Sequence, residues 1–234
     1  MNPILIYTIV TNNYDKVRPA RIFPGFDYWL FTDDPHFKVD GWETKVVPKS
    51  PNPIKQQRQI KINSCVYTKG YDISIYIDGN MEIIRDPADL LKNHFHGGLL
   101  TTVHPKRATL WAEGMEVIRK KKDLEENVNS TLEFAKLNGF KDDLGLFETG
   151  VMVRDKSKDV EKLEQKWSEL LKDYSHRDQL ILPIALHLTG VSIHSIPRKI
   201  TFSYVKFNRG HRVSLKFRKS GQGWFSSLIS RLKR

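Results

Sequence analysis

Tyr71-Asp72-Ile73-Ser74-Ile75-Tyr76-Ile77-Asp78-Gly79-Asn80-Met81-Glu82-Ile83-Ile84 is the stretch whose reading decides the fold. A β-branched apolar run meets an acid, a glycine and an amide and then resumes, the pattern of a buried strand that delivers Asp78 to a sheet edge. Asp-Gly is also a strong two-residue hairpin signal, and a hairpin would need no ligand. Both readings make the run before Asp78 a strand. They diverge only beyond the turn.

Upstream, Ile4 to Val10 is a continuous apolar run ending in Thr11-Asn12-Asn13, which suits a strand covered on both faces. Tyr28 to Thr32 repeats the pattern and stops at Asp33-Asp34-Pro35, and Trp42 to Val47 is a weaker third strand. Pro51-Asn52-Pro53 opens a helix over about residues 54–69, closed by Gly70. Arg58 and Lys61 lie three apart on one face of it, either a phosphate clamp or a solvated basic face.

Downstream, Asp86-Pro87 starts a short helix over 88–95, and Leu99 to Val103 is a strand ending at His104-Pro105-Lys106-Arg107. Residues 112–137 are helical and highly charged, as two helices or one broken helix. Leu144 to Val153 is a strand with Glu148-Thr149-Gly150 inside it. A carboxylate among apolar neighbours is costly unless paired, which singles out Glu148. Asp155 is expected to cap a helix whose apolar face is Val160, Leu163, Trp167, Leu170 and Leu171.

Ser175-His176-Arg177-Asp178-Gln179 then sits at the start of an apolar helix over Leu180 to Leu188, where exposed amides favour anions and Asp178 could equally be a cap. Val191 to Ile196, bearing His194, and Phe202 to Phe207 are the last strands. The whole reads as an α/β domain, a mixed and mostly parallel sheet flanked by helices. Its polar residues collect at strand ends, where open sheets bind ligands.

A chain of 234 residues fits one such domain with a tail. The single cysteine, Cys65, points to packing and a reducing compartment; no leader is read before Ile4, and no run of about 18 apolar residues occurs. Net charge is +11, and the 11 bases between Arg198 and Arg234, a span without any acid, equal that excess. The body is neutral and the tail is basic, so the division expected is 1–197 and 198–234.

Within the tail, Trp224, Phe225, Leu228, Ile229 and Leu232 share one face of a helix over 223–234, opposite Arg231, Lys233 and Arg234. That arrangement suits an interfacial helix on anionic lipid, the alternatives being docking on its own domain or a nucleic-acid contact. The aromatics are clustered on one face and not interleaved with the bases, so nucleic acid is not the expected partner. Phosphate-binding glycine loops, zinc spacings and a Gly-x-Ser-x-Gly elbow are missing, which removes P-loop, dinucleotide, zinc-site and serine-hydrolase readings.

In order, Tyr71 to Ile84, Asp86-Pro87, His104 to Arg107, Glu113, Gly145 to Arg154, Trp167 and Arg177 to Leu180 resemble a glycosyltransferase-like family, long catalogued as a domain of unknown function. It occurs in plant cell-wall and pollen-development proteins and in bacterial polysaccharide gene clusters. The resemblance covers roughly residues 4–195. It implies a GT-A fold, a Rossmann-like nucleotide-diphospho-sugar transferase sheet, with Mn²⁺ or Mg²⁺ as cofactor and a UDP-sugar as the favoured donor.

Carried over, Asp78, Gly79 and Asn80 stand where the family has an Asp-x-Asp, with Asn80 in place of the second acid and therefore no charge to offer a cation. The resemblance puts Thr8 and Asp33 at the nucleoside, Arg58 and Lys61 at the phosphates, and His104, Arg107 and Glu113 on the acceptor side. His194 or His211 would complete a metal site with Asp78 and Asn80. Asp178-Gln179 is similar to the Asp-Gln beside the anomeric carbon in glycogenin-like relatives, which makes Asp178, Gln179 and Glu148 the catalytic candidates. The expected partner is a hydroxyl acceptor on a lipid-linked or surface glycan, at the inner face of the cell membrane. A non-catalytic sugar-nucleotide binder is the other reading that Asn80 invites.

Overall fold

The structure is a computed structural model that describes residues 3–208. Three strands open the chain, β1 (Ile4–Val10), β2 (Phe26–Thr32) and β3 (Glu43–Val46), each parallel to the one before. Helices α1 (Pro53–Ile62) and α2 (Ser64–Tyr67) then return the chain across β1 to β4 (Ser74–Ile77), which pairs parallel with the other edge of β1. The order of strands therefore reverses between β1 and β4, and in open α/β sheets the crevice outside the carboxyl ends at such a reversal is where ligands bind.

After β4 come β5 (Met81–Ile83), α3 (Pro87–His94), β6 (Leu99–Val103), α4 (Leu110–Arg119), α5 (Glu125–Leu137) and β7 (Phe147–Arg154). The chain continues with α6 (Lys158–Asp173), α7 (Asp178–Thr189), β8 (His194–Ile196), α8 (Arg198–Tyr204) and β9 (Val205–Phe207). The main sheet has seven strands in the order β3-β2-β1-β4-β7-β6-β8. Only β7 runs against its neighbours.

Alternation along the strands builds two cores. Leu5, Tyr7, Ile9, Tyr76 and Met152 face one side, where α1 and α4 to α7 cover them with Ile60, Leu110, Val128, Trp167 and Leu180. Ile6, Ile75, Ile77, Val151 and Val153 face the other, packed on Leu90, Tyr204 and Val205. On α6 the stripe read from sequence is the buried one: Leu163, Leu170 and Leu171 are each at most 4% exposed, and burial of such a side chain contributes about 1.5–3 kcal/mol.

Several boundaries differ from the sequence reading, each for a local reason. The helix expected over 54–69 breaks at Asn63, whose side chain turns back onto the Gln59 carbonyl, while Glu164 accepts from the Cys65 amide and opens α2. Ser157, not Asp155, caps α6, and Asp155 instead accepts from the Gly98 and Ser157 amides. Asp78 to Met81 is a turn closed by the Met81 amide on the Asp78 carbonyl at 2.8 Å. It is no hairpin: β5 leaves the main sheet and pairs antiparallel with β9.

Residues 198–204, the first of which were read as an extension and the last as strand, form α8, which packs Tyr204 against the body. His211 and the expected helix over 223–234, with Trp224, Phe225, Leu228, Ile229 and Leu232, lie outside the described residues.

Candidate functional site

A crevice of about 580 Å³ opens at the reversal between β1 and β4. Its walls come from the loop after β1 (Thr11, Asn12), from α1 (Gln57, Arg58, Lys61) and from the β4–β5 turn (Asp78, Asn80). The first half of β7 (Glu148, Thr149, Gly150), the approach to and start of α7 (His176 to Gln179) and the α4–α5 loop (Lys120 to Lys122) complete it.

Two consecutive asparagines shape the first wall. Asn12 and Asn13 both adopt left-handed backbone, with φ of 52° and 51°, a conformation that asparagine tolerates better than most residues. Asp33 holds that loop by accepting from the Asn12 amide at 2.9 and 3.1 Å, and the Thr11 hydroxyl donates to the Pro53 carbonyl at the start of α1. Asp33 thus supports the wall without lining it. Thr8 is buried inside β1, back from the strand end, and does not reach the crevice either.

The floor is an ionic cluster around Lys61. Its Nζ donates to Asp178 Oδ2 at 2.7 Å and to the Thr149 hydroxyl at 2.9 Å, and stands 3.7 Å from Asp78 Oδ1. Lys61 is 1% exposed and Asp178 4%, so the pair lies at the bottom of the crevice with little contact with bulk water. Thr149 also donates to Asp178 Oδ2, and Arg58 Nε lies 3.5 Å from the same oxygen. Burial by itself would raise the Asp178 carboxyl, but Lys61 and Arg58 hold it well below the usual carboxylate range. Burial pulls Lys61 below the ordinary ammonium range against the attraction of Asp178 and Asp78.

The backbone beneath Lys61 is pinned from the far side. Arg154, 1% exposed, donates to the Lys61 carbonyl at 2.8 Å and to the Ile62 carbonyl at 2.9 Å, satisfying the end of α1, and pairs with Glu164 at 3.0 Å. Asp78 is fixed in turn: its Oδ1 accepts from the Tyr76 hydroxyl at 2.7 Å and its amide donates to the Gly150 carbonyl at 2.9 Å. Burial first and then the Asp78 charge raise the Tyr76 hydroxyl well above the ordinary tyrosine value, so it stays a donor.

Two glycines stand where a Cβ would crowd its neighbours. A Cβ at Gly150 would stand 2.7 Å from Met81 Cε and 3.0 Å from Asp78 Oδ2, and one at Gly79 would stand 3.0 Å from Asp15 Cβ and Val10 Cγ2. Asn80 is buried under the end of β9, where its carbonyl accepts from the Asn208 amide at 2.8 Å. The side-chain Oδ1 of Asn80 and Oδ1 of Asp178 are buried without a hydrogen-bond partner among the described residues.

Glu148 lines the same crevice and pairs with Arg198 at 2.9 Å. Gln179 lines it too, accepting from Arg177 at 3.3 Å. Arg177 is pushed below the ordinary guanidinium value by burial and by the like charge of Arg58, and its Nε has no hydrogen-bond partner among the described residues. His104, Arg107 and Glu113 gather as expected of neighbours, with both Arg107 and the His104 ring near Glu113 Oε2, but they form their own cluster off the crevice.

The cation site expected from Asp78, Asn80, His194 and His211 is a correction. Among the described residues no group of three or more His, Cys, Asp or Glu side chains could hold a metal ion. His194 is at the outer edge of the sheet, three strands from β4, roughly 14 Å at ordinary strand spacing, and His211 is outside the described residues. Asp78 Oδ1 is already taken up by Tyr76 and faces Lys61, and Asn80 adds no charge. The donor set does not fit Mn²⁺ or Mg²⁺, which take several charged oxygens at close range.

Sequence reasoning missed Tyr76, Thr149 and the Lys120 to Lys122 rim. Strand alternation shows that Thr149 and Glu148 leave opposite sides of β7, but that Thr149 meets Asp178 is decided by the packing of α7 on the sheet. No helix among the described residues is long and apolar enough to cross a membrane. No family model matches the chain, and no curated protein matches it either.

Proposed function

We propose that this chain is a glycosyltransferase on a GT-A type sheet, moving a sugar from a nucleoside-diphosphate donor to a hydroxyl of a glycan acceptor. The observation that carries the reading is the cluster of Arg58, Lys61, Asp78 and Asp178 at the β1–β4 reversal. Cations there suit a diphosphate, and the crevice volume lies in the range of small-molecule sites. Arg177 and the Lys120 to Lys122 rim extend the positive wall.

In the reaction the acceptor oxygen attacks C1 of the sugar while the bond from C1 to the diphosphate oxygen breaks, its electron pair leaving with the phosphate. Arg58 and Lys61 offset the charge that grows on that oxygen. Asp178, held ionised by two cations, is a poor proton acceptor and serves to face positive charge developing at C1. Glu148, with one cation partner that is itself half exposed, is the better-placed base for the acceptor proton. The acceptor is a lipid-linked or surface glycan, and the basic and apolar residues of 223–234 keep the protein on an anionic membrane face.

Calorimetric titration of the full chain with UDP, GDP and CMP tests this. Binding of at least one, weakened about ten-fold or more in Arg58→Ala, is the expected result, since a charge-assisted hydrogen bond contributes about 1.5–3 kcal/mol. Binding of none would end the reading.

A further inference from the structure

We propose that the Lys61 ammonium occupies the place a divalent cation would take beside Asp78, so that the crevice binds and releases the diphosphate without a metal ion. This deepens the sugar-transfer reading and rests on it. An ammonium has three N–H donors. Two are committed, to Asp178 Oδ2 at 2.7 Å and to Thr149 at 2.9 Å. The third has no hydrogen-bond acceptor among the described residues: Asp78 Oδ1, at 3.7 Å, is beyond hydrogen-bond range, and both side chains line the crevice.

The position of this charge is built into the fold. Arg154 and Tyr7 both donate to the Lys61 carbonyl, and the side chain lies against the Tyr76 ring with its Nζ 5.0 Å from the centroid. Arg58, one turn earlier on α1, brings a guanidinium to the same Asp178 oxygen. The negative charge of Asp78 is thereby matched from inside the protein. A divalent ion at Asp78 would have to displace the ammonium or sit against it, with one neutral amide, Asn80, as its nearest further oxygen donor in the motif. The disagreement between the expected cation and the residues present is resolved by a lysine that does the cation's electrostatic work.

The test is a pair of titrations of the full chain with UDP and with GDP, one in EDTA and one in millimolar Mn²⁺. The expected result is a dissociation constant that differs by less than about three-fold between the two conditions. Lys61→Met, checked for folding by thermal melting, should weaken binding in EDTA by about ten-fold or more; if that variant does not fold, the two wild-type titrations still decide. Binding tightened by Mn²⁺ beyond that three-fold limit overturns the inference and leaves sugar transfer standing. Absence of binding in both conditions overturns the two together.

Discussion

Replacing Lys61 by methionine removes one partner of a buried ion pair and leaves the other in place. Breaking such a pair costs about 3–5 kcal/mol when the surviving charge has no other neutraliser. Asp178 keeps Arg58 at 3.5 Å and the Thr149 hydroxyl at 3.0 Å, so the low end, about 3 kcal/mol, is expected. Against a domain stability of about 5–15 kcal/mol this is large, and for a chain of this length it corresponds to a fall in Tm of roughly 6–12 °C.

Asp178→Asn made in the same background should recover part of the loss, with a coupling of about 2 kcal/mol in a double-mutant cycle. The pH dependence comes from the depressed Asp178 value: its stabilisation is complete above the ordinary carboxylate range, near pH 4, and is lost as pH falls through the folded value. In Lys61→Met this acid limb should shrink. Thermal melts by circular dichroism from about pH 7 down to about pH 2 follow this limb, because the loss begins at the unfolded carboxylate value and continues below it. A single-variant loss below about 1 kcal/mol, or strictly additive losses, would refute the reasoning.

Glu148→Gln should leave nucleotide binding intact while lowering turnover by about 10²–10⁴-fold, the usual contribution of a general base; equal losses in binding and turnover would count against its role. Gly150→Ala should displace the Met81 methyl and crowd Asp78, costing about 1–3 kcal/mol in a melt and weakening nucleotide binding as well. Arg154→Met removes the guanidinium donors from the Lys61 and Ile62 carbonyls and leaves the buried Glu164 without its cation, with only the Ser64 hydroxyl and Cys65 amide to it, so a loss of about 3 kcal/mol is expected in chemical denaturation. The full chain should float with anionic vesicles at low salt and far less at high salt, and removal of residues 221–234 should abolish flotation; unchanged flotation would mean that the tail is not the anchor.

The sequence by itself determined the local elements and the rank of the residues. Continuous apolar runs at Ile4 to Val10 and around Ile75 fixed buried strands, the Val160 to Leu171 stripe fixed the packed face of a helix, and the three-residue spacing of Arg58 and Lys61 put both on one side of α1. These features arise from periodicities that a chain carries before it folds. Only tertiary structure decided pairing. Asp178 lies 117 residues from Lys61, and nothing local distinguishes a helix cap from the partner of a buried lysine.

The same holds for the turn at Asp78, where hairpin and sheet-to-sheet crossing share a sequence, and the choice rests with β9, more than a hundred residues on. The expected metal site differs for that reason too: the lysine that faces Asp78 comes from α1, and Coulomb attraction between a helix and a strand end leaves no mark in the order of residues.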